Sequence, residues 1–381
     1  MKIKGINLGN WLVLEKWMKP VLFEGTDAED ETWLNRRLPA SELSERMKQH
    51  RDSYITEADF KYIKDQGFNL VRIPVPYFIF GDRKPFTGCI EYLDRAFVWA
   101  NKYGLKVMID LHTSPGNQNG YDNGGIVGVC KWHKNPQEVK FVLGVLSRLA
   151  RRYAYDGALF GIEVLNEPIS LPVFLASPST RQAADKNEAK GSGFVPLSFL
   201  RPFYKKAYEV IRKHLPEDKA IIFHDGYRIE AWPLFLKRNN MKNVYLDAHI
   251  YIFHMESYIK IPDLRSYKAF IFMQKQRLKL VSKRADVIVG EWCISNAYAN
   301  NYTGENGMTQ EQIKTERKRR YREVAELQID AWSVTKGDIY WSYKFGDDAL
   351  DSADRFWKES WDARHCIENQ WLPVEAQPPL P

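Results

Sequence analysis

The chain has 381 residues, a formal net charge of +7 and 44% hydrophobic residues, enough apolar material for a large core. No apolar run reaches the roughly 18 residues that a membrane-spanning helix needs, so we expect no membrane span. The four cysteines lie far apart, and no CxxC or Cys/His spacing indicates a structural zinc site.

Basic residues are most dense in Lys314–Arg322, a run that also contains Glu316. This mixture favours a solvated helix over a site for an anionic partner, and nucleic-acid binding would need the basic residues gathered on one face. The chain begins with a strand-like segment rather than a basic and apolar signal sequence. We therefore expect a cytoplasmic protein with free thiols, unless a secretion signal preceded the printed sequence.

Short β-rich runs alternate with longer amphipathic stretches along the chain. The predicted strands are Ile3–Leu8, Leu70–Ile73, Lys106–Leu111, Phe160–Leu165, Ala220–Phe223, Val244–Ala248, Val287–Val289 and Asp338–Trp341. The predicted helices between them include Thr56–Gln66, Ile90–Tyr103, Pro136–Tyr153 and Gln310–Val334. Eight such units predict an α/β fold of the closed (β/α)8 TIM-barrel type, in one domain spanning residues 1–381, rather than a doubly wound sheet.

Two connections are longer than ordinary loops. They cover about residues 24–51, after the first predicted strand, and 169–196, after the fourth. Both follow the carboxyl ends of strands, which is the face where barrels of this type carry their active sites. We therefore expect both segments to lie at the active face as lids or binding loops.

Two glutamates follow short apolar runs. Glu167 comes after Leu159–Leu165, and Glu291 comes after Val287–Gly290. The carboxyl ends of parallel barrel strands converge on one mouth, so predicted strands four and seven would bring the two carboxylates together. Burying an unpaired carboxylate is costly, which favours a functional explanation for each. Two such groups can cleave a glycosidic bond, one as proton donor and the other as nucleophile.

Further polar and aromatic side chains occur at the ends of predicted strands. They are Arg72, His112, Asn166, His249, Tyr251 and Trp341. Singly, Arg72 is more typical of a buried ion pair, and Trp341 is more typical of a core than of a sugar platform. His112 is as typical of a core as of a site. Together, on several strands of one barrel, the set predicts a site.

The residue types suggest roles. Arg72 and Tyr251 can donate hydrogen bonds to Glu291 and keep it ionised, as a nucleophile requires. Asn166 can bind a sugar 2-hydroxyl through its neutral amide. Glu167 must hold a proton near neutral pH, so we expect burial and a nearby carboxylate to raise its pKa.

These motifs resemble glycoside hydrolase family 5, a retaining (β/α)8 family. The similar stretches, in the order of predicted strands two to eight, are Val71–Pro74, Asp110–His112, Leu165–Pro168, His249–Tyr251, Gly290–Trp292 and Trp341–Lys344. Within the family the chain is most similar to the fungal exo-β-1,3-glucanases. That similarity rests on Gly5–Glu15, Gly116–Asn123, Phe223–Gly226 and the closing segment Trp361–Pro373.

The resemblance implies that Glu167 is the acid/base, that Glu291 is the nucleophile and that the polar set above lines the −1 subsite. It also implies two substrate contacts, Glu15 and Asn123, that bind the non-reducing glucose and block further subsites.

At the entrance, the resemblance implies an aromatic pair for the leaving sugar or aglycone, Tyr121 and Phe253. The expected activity is a cofactor-free, retaining β-glycosidase acting on terminal β-glucosyl units of oligosaccharides or glycosides, in the manner of an exo-β-1,3-glucanase or a β-glucosidase.

Three alternatives remain open at the level of the sequence. One is an endo-β-glucanase of the same family. Another is a metal-dependent barrel hydrolase that uses Asp110, His112, Asp247 and His249 as ligands, although the chain has no His-x-His motif. The third is a sugar-binding barrel without catalysis, against which the intact glutamate pair argues.

Overall fold

The computed structural model describes residues 2–259, 262–350 and 355–380. Its centre is a closed barrel of parallel strands in sequential order, with the last strand paired to the first. The strands are β1 (Ile3–Asn7), β2 (Leu70–Val75), β3 (Lys106–Leu111), β4 (Leu159–Glu163), β5 (Ala220–His224), β6 (Val244–His249), β7 (Asp286–Trp292) and β8 (Gly337–Tyr340). The predicted (β/α)8 barrel is confirmed, and the strand ends differ from the predicted ones by three residues at most.

Helices surround the barrel and fill its longer connections. In the described residues they are α1 (Glu31–Arg37), α2 (Ala40–Tyr54), α3 (Glu57–Asp65), α4 (Ile90–Tyr103), α5 (Pro136–Tyr153), α6 (Leu171–Ala176), α7 (Lys186–Ala189), α8 (Leu197–Arg212), α9 (Pro233–Arg238), α10 (Phe253–Glu256), α11 (Leu264–Ser282), α12 (Ala297–Asn300), α13 (Gln310–Trp332), α14 (Asp347–Leu350), α15 (Arg355–Glu359) and α16 (Ala363–Glu368). Short 3-10 turns lie at Lys16–Met18, Pro20–Phe23, Asp122–Gly124, Trp132–Lys134, Pro178–Arg181 and Ile229–Ala231.

Local sequence signals explain where several helices begin and end. Thr56 and Asp59 form a reciprocal capping box at the start of α3. The side chain of Asn135 accepts two backbone N–H groups at the start of α5. Gly104 ends α4 in the left-handed conformation, with φ of 65°. Because these signals are local, the bounds of α4 and α5 match the predicted helices.

The interior of the barrel has two chemically different layers. An apolar layer towards the amino ends of the strands contains Ile3, Leu70, Met108, Ala220, Ile222, Ile288 and Ile339. Side chains two residues apart on a strand point the same way. The positions two residues beyond Leu70 and Met108 therefore also point inward, and they carry Arg72 and Asp110. A charged layer thus lies on top of the apolar one, towards the carboxyl ends.

The two long connections are structured. The segment of residues 24–51 contains α1 and most of α2, so it is largely helical rather than an open loop. The segment of residues 169–196 contains α6 and α7 and closes at its neck, where Val195 N–H donates to the Ile169 carbonyl at 2.9 Å. Both segments follow the carboxyl ends of β1 and β4, as predicted.

The surface features expected from composition have ordinary structural explanations. The basic run on α13 pairs with acids of the same helix, for example Arg322 with Glu326 at 3.0 Å. All four cysteines are buried and free. Among the described residues, no helix combines the length and the hydropathy that crossing a membrane requires.

Candidate active site

Arg72 occupies the centre of the charged layer. Its side chain is completely buried, and its Nε donates to Glu163 Oε2 at 2.8 Å. Nη1 donates to Glu291 Oε1 at 2.9 Å, and Nη2 donates to Asn166 Oδ1 at 2.9 Å. The planar guanidinium has five donors in a fixed fork, so one buried side chain can orient groups from the carboxyl ends of β4 and β7 at once.

Glu291 lies near the end of β7, where Arg72 holds one carboxylate oxygen and Tyr251 holds the other. The hydroxyl of Tyr251 donates to Glu291 Oε2 at 2.7 Å. The preceding residue, Gly290, donates its N–H to Asp247 Oδ1 at 2.6 Å, and a Cβ at this position would clash with that carboxylate. A glycine is therefore required for β7 to approach β6 closely enough to bring Glu291 under Tyr251.

Glu167 is held differently, because it lies in the connection after β4 rather than on a strand. Its φ is 48°, in the left-handed region that non-glycine residues rarely adopt. His249 Nδ1 contacts Glu167 Oε1 at 2.8 Å, and Asn123 Nδ2 donates to Oε2 at 3.2 Å. Backbone strain at a buried, hydrogen-bonded carboxylate is typical of functional sites.

His249 connects the two glutamates. The same Nδ1 atom that contacts Glu167 at 2.8 Å lies 3.3 Å from Glu291 Oε2. Glu167 Oε1 and Glu291 Oε2 are therefore at most about 6 Å apart. Retaining glycosidases place their carboxyl groups about 5–5.5 Å apart, and inverting ones about 6.5–9.5 Å apart. The shared contact brings the two carboxylates close enough for the retaining arrangement.

The electrostatics of this group differ from the sequence-based expectation. Burial by itself would raise the pKa of Glu167, but the hydrogen bond and the positive charge of His249 lower it overall. Burial raises the pKa of Glu291, although His249 and Arg72 partly offset that rise. For His249, burial opposes the charged form, but the charges of Glu291 and Asp247 raise its pKa well above 6.5.

The expectation that Glu167 has a raised pKa is therefore wrong for the free protein. The two pKa shifts favour the proton on His249, whose Nδ1 lies 2.8 Å from the Glu167 carboxylate. Groups that interact this closely titrate as a unit rather than singly. His249 and Glu167 together thus hold the proton that a general acid needs, and one hydrogen bond separates His249 from Glu167, the predicted proton donor.

The other predicted −1 residues lie in the same layer. His112 contacts Asp110 through Nδ1, and its Nε2 lies 3.4 Å from Asn166 Nδ2. Trp341 is buried and stacks on His112, with ring centroids 5.6 Å apart and planes inclined by 11°. The structure therefore brings His112, Asn166 and Trp341 together with Arg72, although a sugar platform at Trp341 stays a prediction.

Glu15 lies outside this network but close to it. It is buried and accepts a hydrogen bond from Trp17 Nε1 at 2.9 Å. Burial raises the pKa of Glu15 well above its usual value, and the charges of Asp122, Glu291 and Glu167 raise it further. A carboxyl group of this kind can accept or donate a hydrogen bond to a sugar hydroxyl.

The two predicted entrance aromatics lie on different connections. Tyr121, after β3, is half-buried, and its side chain hydrogen-bonds Ser177. Phe253, after β6, packs against Tyr251 with ring centroids 5.4 Å apart and against Trp361 at 5.5 Å. Both lie at the carboxyl face of the barrel, and the role of this pair as an entrance stays a prediction.

Comparison with known proteins identifies the family of this chain. Residues 29–332 match the family model described as Cellulase (glycosyl hydrolase family 5). The chain belongs to glycosyl hydrolase family 5. It is accordingly a glycoside hydrolase, and the members of this family act with retention of the anomeric configuration.

Individual relatives agree with the family assignment. The chain is 31% identical to the probable glucan 1,3-beta-glucosidase A of Emericella nidulans, over 90% of this chain and 85% of that protein. It is 29% identical to the glucan 1,3-beta-glucosidase of Kluyveromyces lactis, over 98% and 88%. Among solved structures, rutinosidase from Aspergillus niger shares the fold, with a TM-score of 0.73, 20% identity and 97% coverage of both chains.

The sequence-based prediction missed some residues of this family 5 site. Glu163 was assigned to an apolar run, yet it accepts the Nε hydrogen bond of Arg72 at 2.8 Å. Asn7 accepts from Arg72 Nη1 at 2.9 Å, and His224 lies edge-on to His249 with ring centroids 4.3 Å apart. Strand parity could have found Glu163, because a charged residue at an inward position of a buried strand requires a partner.

The metal-dependent alternative does not fit these residues. The guanidinium of Arg72 already lies among the expected ligands, 3.1 Å from Asp110 and 3.9 Å from Asp247. Glu167, His224 and His249 also converge within ligand distance of one another. Burial opposes the charged form of His249, but the nearby carboxylates raise its pKa, which favours the protonated ring over the neutral form that a metal ligand requires.

Proposed function

We propose that the protein removes terminal β-glucosyl units from oligosaccharides or glycosides, with Glu291 as nucleophile and Glu167 as acid/base. The observation that carries this proposal is the shared contact of both carboxylates with His249 Nδ1, at 2.8 and 3.3 Å. Hydrogen bonds from Arg72 and Tyr251 would keep Glu291 ionised and its oxygens oriented for attack.

The reaction proceeds in two displacements. In the first, a carboxylate oxygen of Glu291 forms a bond to the anomeric carbon while the glycosidic C–O bond breaks, and Glu167 gives its proton to the leaving oxygen. In the second, a water oxygen attacks the anomeric carbon, its proton passes to Glu167, and the ester bond to Glu291 breaks. Before the first step the proton of His249 would pass to Glu167 through their 2.8 Å contact. Acid/base assistance of this kind contributes about 10²–10⁴ in rate.

The residues around Glu167 and Glu291 support cleavage of a terminal sugar unit. Glu15 is buried near the two catalytic carboxylates, whose charges affect its titration. Asn123 contacts Glu167 directly, and Asn119 orients its amide by donating to Oδ1 at 2.9 Å. Such polar groups would bind the hydroxyls of one non-reducing sugar, and the resemblance to exo-β-1,3-glucanases implies that they block further subsites. Two of the relatives carry glucan 1,3-beta-glucosidase in their names, which supports a glucosyl unit as the sugar.

The test is a panel of phenyl β-glycosides of several sugars and of β-1,3-, β-1,4- and β-1,6-linked disaccharides. We expect turnover of β-glucosides, and proton NMR should show the β anomer released first. Release of the α anomer would contradict the mechanism. A rapid fall in the viscosity of a β-glucan solution would contradict terminal action and would select the endo-β-glucanase alternative.

Glu167→Gln tests the assignment of the acid/base. For phenyl β-glucoside we expect kcat to fall by about 10²–10⁴, because the leaving phenol needs a proton. For 2,4-dinitrophenyl β-glucoside, whose leaving group needs none, glycosylation should be nearly unchanged. Glu217→Gln, at an exposed residue paired with Lys242, is the matched control. Equal losses of kcat/KM, which reports the glycosylation step, on both substrates would assign Glu167 a different role; kcat itself should fall on both, because Glu167 is also the base of the second displacement.

A further inference from the structure

The insertion of residues 169–196 contains a short helix whose composition the fold does not explain. Helix α6 has the sequence Leu-Pro-Val-Phe-Leu-Ala, and none of its six residues is buried. Leu171 is 42% exposed and Leu175 is 58% exposed. They are one helical turn apart, so they lie on the same face. An all-apolar helix that the protein core does not bury indicates contact with something outside the chain.

The apolar residues of the insertion lie near its two ends, in α6 and at Phe194–Val195, and the part between them is polar. Residues 178–193 contain no Val, Leu, Ile, Met or aromatic residue. The apolar helix, in contrast, begins four positions after Glu167 in the chain. Its C-cap residue, Ser177, hydrogen-bonds the side chain of Tyr121 on the β3 connection, and Tyr121 is close enough to Glu167, the proposed donor to the leaving oxygen, for the charge of Glu167 to raise the Tyr121 pKa in addition to burial. Helix α6 is therefore continuous with the leaving-group side of the active site.

The rest of the insertion is attached to neighbouring connections, and α6 itself is attached at its C-cap through Ser177 and Tyr121. Arg36 on α1 forms a two-pronged ion pair with Glu188 at 2.7 and 2.9 Å. Gly193 N–H donates to the Cys130 carbonyl at 3.0 Å, and Cys130 N–H donates to Ser192 Oγ at 2.9 Å. The insertion is thus attached to the same β3 connection that carries Tyr121. A held apolar surface loses little conformational freedom when a ligand binds it.

We propose that the exposed face of α6, with Leu171 and Leu175, is a binding surface for the apolar aglycone of a glucoside. This inference rests on the proposed function and adds to it the class of leaving group. The glucosyl unit occupies the polar layer around Glu291, and an alkyl or ring system attached to the glycosidic oxygen extends past Tyr121 onto α6. Such an aglycone buries apolar area that water would otherwise cover, on its own surface and on the two leucines.

The experiment compares methyl β-glucoside with octyl β-glucoside, both below the concentration at which the octyl compound forms micelles. The two leaving alcohols have similar acidity, so the ratio of their kcat/KM values reports binding of the chain rather than chemistry. We expect the wild type to prefer the octyl compound. The double variant Leu171→Asn with Leu175→Asn should lower the octyl-to-methyl ratio roughly tenfold, mainly through KM, because apolar contact area is lost.

Leu280→Asn is the matched control, since Leu280 is 63% exposed in the last turn of α11 and far along the chain from the insertion. It should keep the wild-type ratio. An unchanged ratio in the double variant overturns the inference. If that variant instead loses binding to vesicles of phosphatidylcholine and phosphatidylserine while the ratio stays the same, α6 is a bilayer contact and the inference is equally overturned.

Hydrolysis of phenyl β-glucoside by the wild type is measured first and tests the proposed function by itself. If the wild type hydrolyses no β-glucoside, the proposed function fails. If it hydrolyses phenyl β-glucoside and shows no preference between methyl and octyl chains, only the inference about α6 fails.

Discussion

The two ends of the barrel interior differ in chemistry, since one is apolar and the other is charged. Strand β7 contributes a residue to each. At its amino end, Ile288 packs in the apolar layer with residues of the other strands. Three residues further on, Glu291 enters a layer in which Arg72 and His249 face four buried carboxylates, the others being Asp110, Glu163 and Asp247. The apolar end gains free energy from burial, whereas the charged end requires an expensive desolvation of ions.

The charged layer also contains more acid than its cations can satisfy. Buried carboxylate oxygens without a hydrogen-bond partner among the described residues include Asp110 Oδ1 and Glu163 Oε1, whereas Asp247 Oδ2 lies 3.5 Å from His249 Nε2. Burial raises the pKa of Glu163 well above its usual value, and the nearby carboxylates add to this effect against the opposing charge of Arg72. An excess of buried carboxylate is unfavourable for folding but useful for retaining a proton. The comparison therefore indicates that the apolar layer stabilises the fold that the charged layer uses for chemistry.

On β7, the two substitutions whose effects on kcat should differ most are Glu291→Ala and Asp286→Ala. We expect Glu291→Ala to lower kcat by at least about 10⁴, because no other group can form the covalent intermediate. Its circular dichroism should match the wild type, since Arg72 keeps Glu163 and Asp110 as partners. Asp286→Ala removes an exposed ion pair with Lys336 at the other end of the strand and should leave kcat nearly unchanged. Measurable turnover by Glu291→Ala near the wild-type rate would contradict the assignment of the nucleophile.

Arg72→Lys tests whether the geometry of the guanidinium, rather than its charge, holds the charged layer. A lysine keeps the charge but cannot reach Glu163, Glu291 and Asn166 together. We expect a loss of about 3–5 kcal/mol in the free energy of unfolding, measured in urea, because buried carboxylates lose their partner. Arg322→Lys, in an exposed pair on α13, should change stability by less than about 0.5 kcal/mol. Equal effects of the two substitutions would show that charge alone suffices.

The pH dependence of stability tests where the proton is held. The folded pKa of His249 is raised above 6.5 by its carboxylate neighbours, against the effect of burial. Its contribution to stability is therefore complete below about pH 6.5 and is lost as pH rises through the folded pKa. The pKa of Glu167 is lowered by the hydrogen bond of His249, which outweighs burial, so its contribution is lost as pH falls below about 4.5.

We expect the unfolding free energy of the wild type to fall on the alkaline side by up to about 1.4 kcal/mol per pH unit for one proton, and His249→Gln to flatten that slope. His133→Gln is the control, because burial lowers the pKa of His133 to about 4 and the residue does not titrate above neutrality. An alkaline slope that persists in His249→Gln would locate the proton elsewhere.

The smallest expected effect comes from the apolar layer. Ile288→Val removes one buried methylene group and should lower the unfolding free energy by about 0.5–1.5 kcal/mol. Because Ile288 makes no hydrogen bond to the charged layer, kcat should stay within a factor of two or so of the wild type. Loss of activity in proportion to loss of stability would show that the two layers are coupled more tightly than their packing indicates.

The strand and helix pattern and most residues of the candidate site could be predicted from the amino-acid sequence alone. Short apolar runs, the capping box at Thr56 and the C-cap at Gly104 are local signals, so the barrel could be predicted without knowledge of distant contacts. Parallel strands in sequential order then bring Glu167 and Glu291 to one face. Contacts between distant parts of the chain set the opposite pKa shifts of Glu167 and His249, and they show that Glu163 and Asn7 complete the site. The pKa of Glu167 is set by a contact with His249, 82 positions along the chain, and electrostatic interactions of this kind depend on distance in space, which a linear pattern does not record.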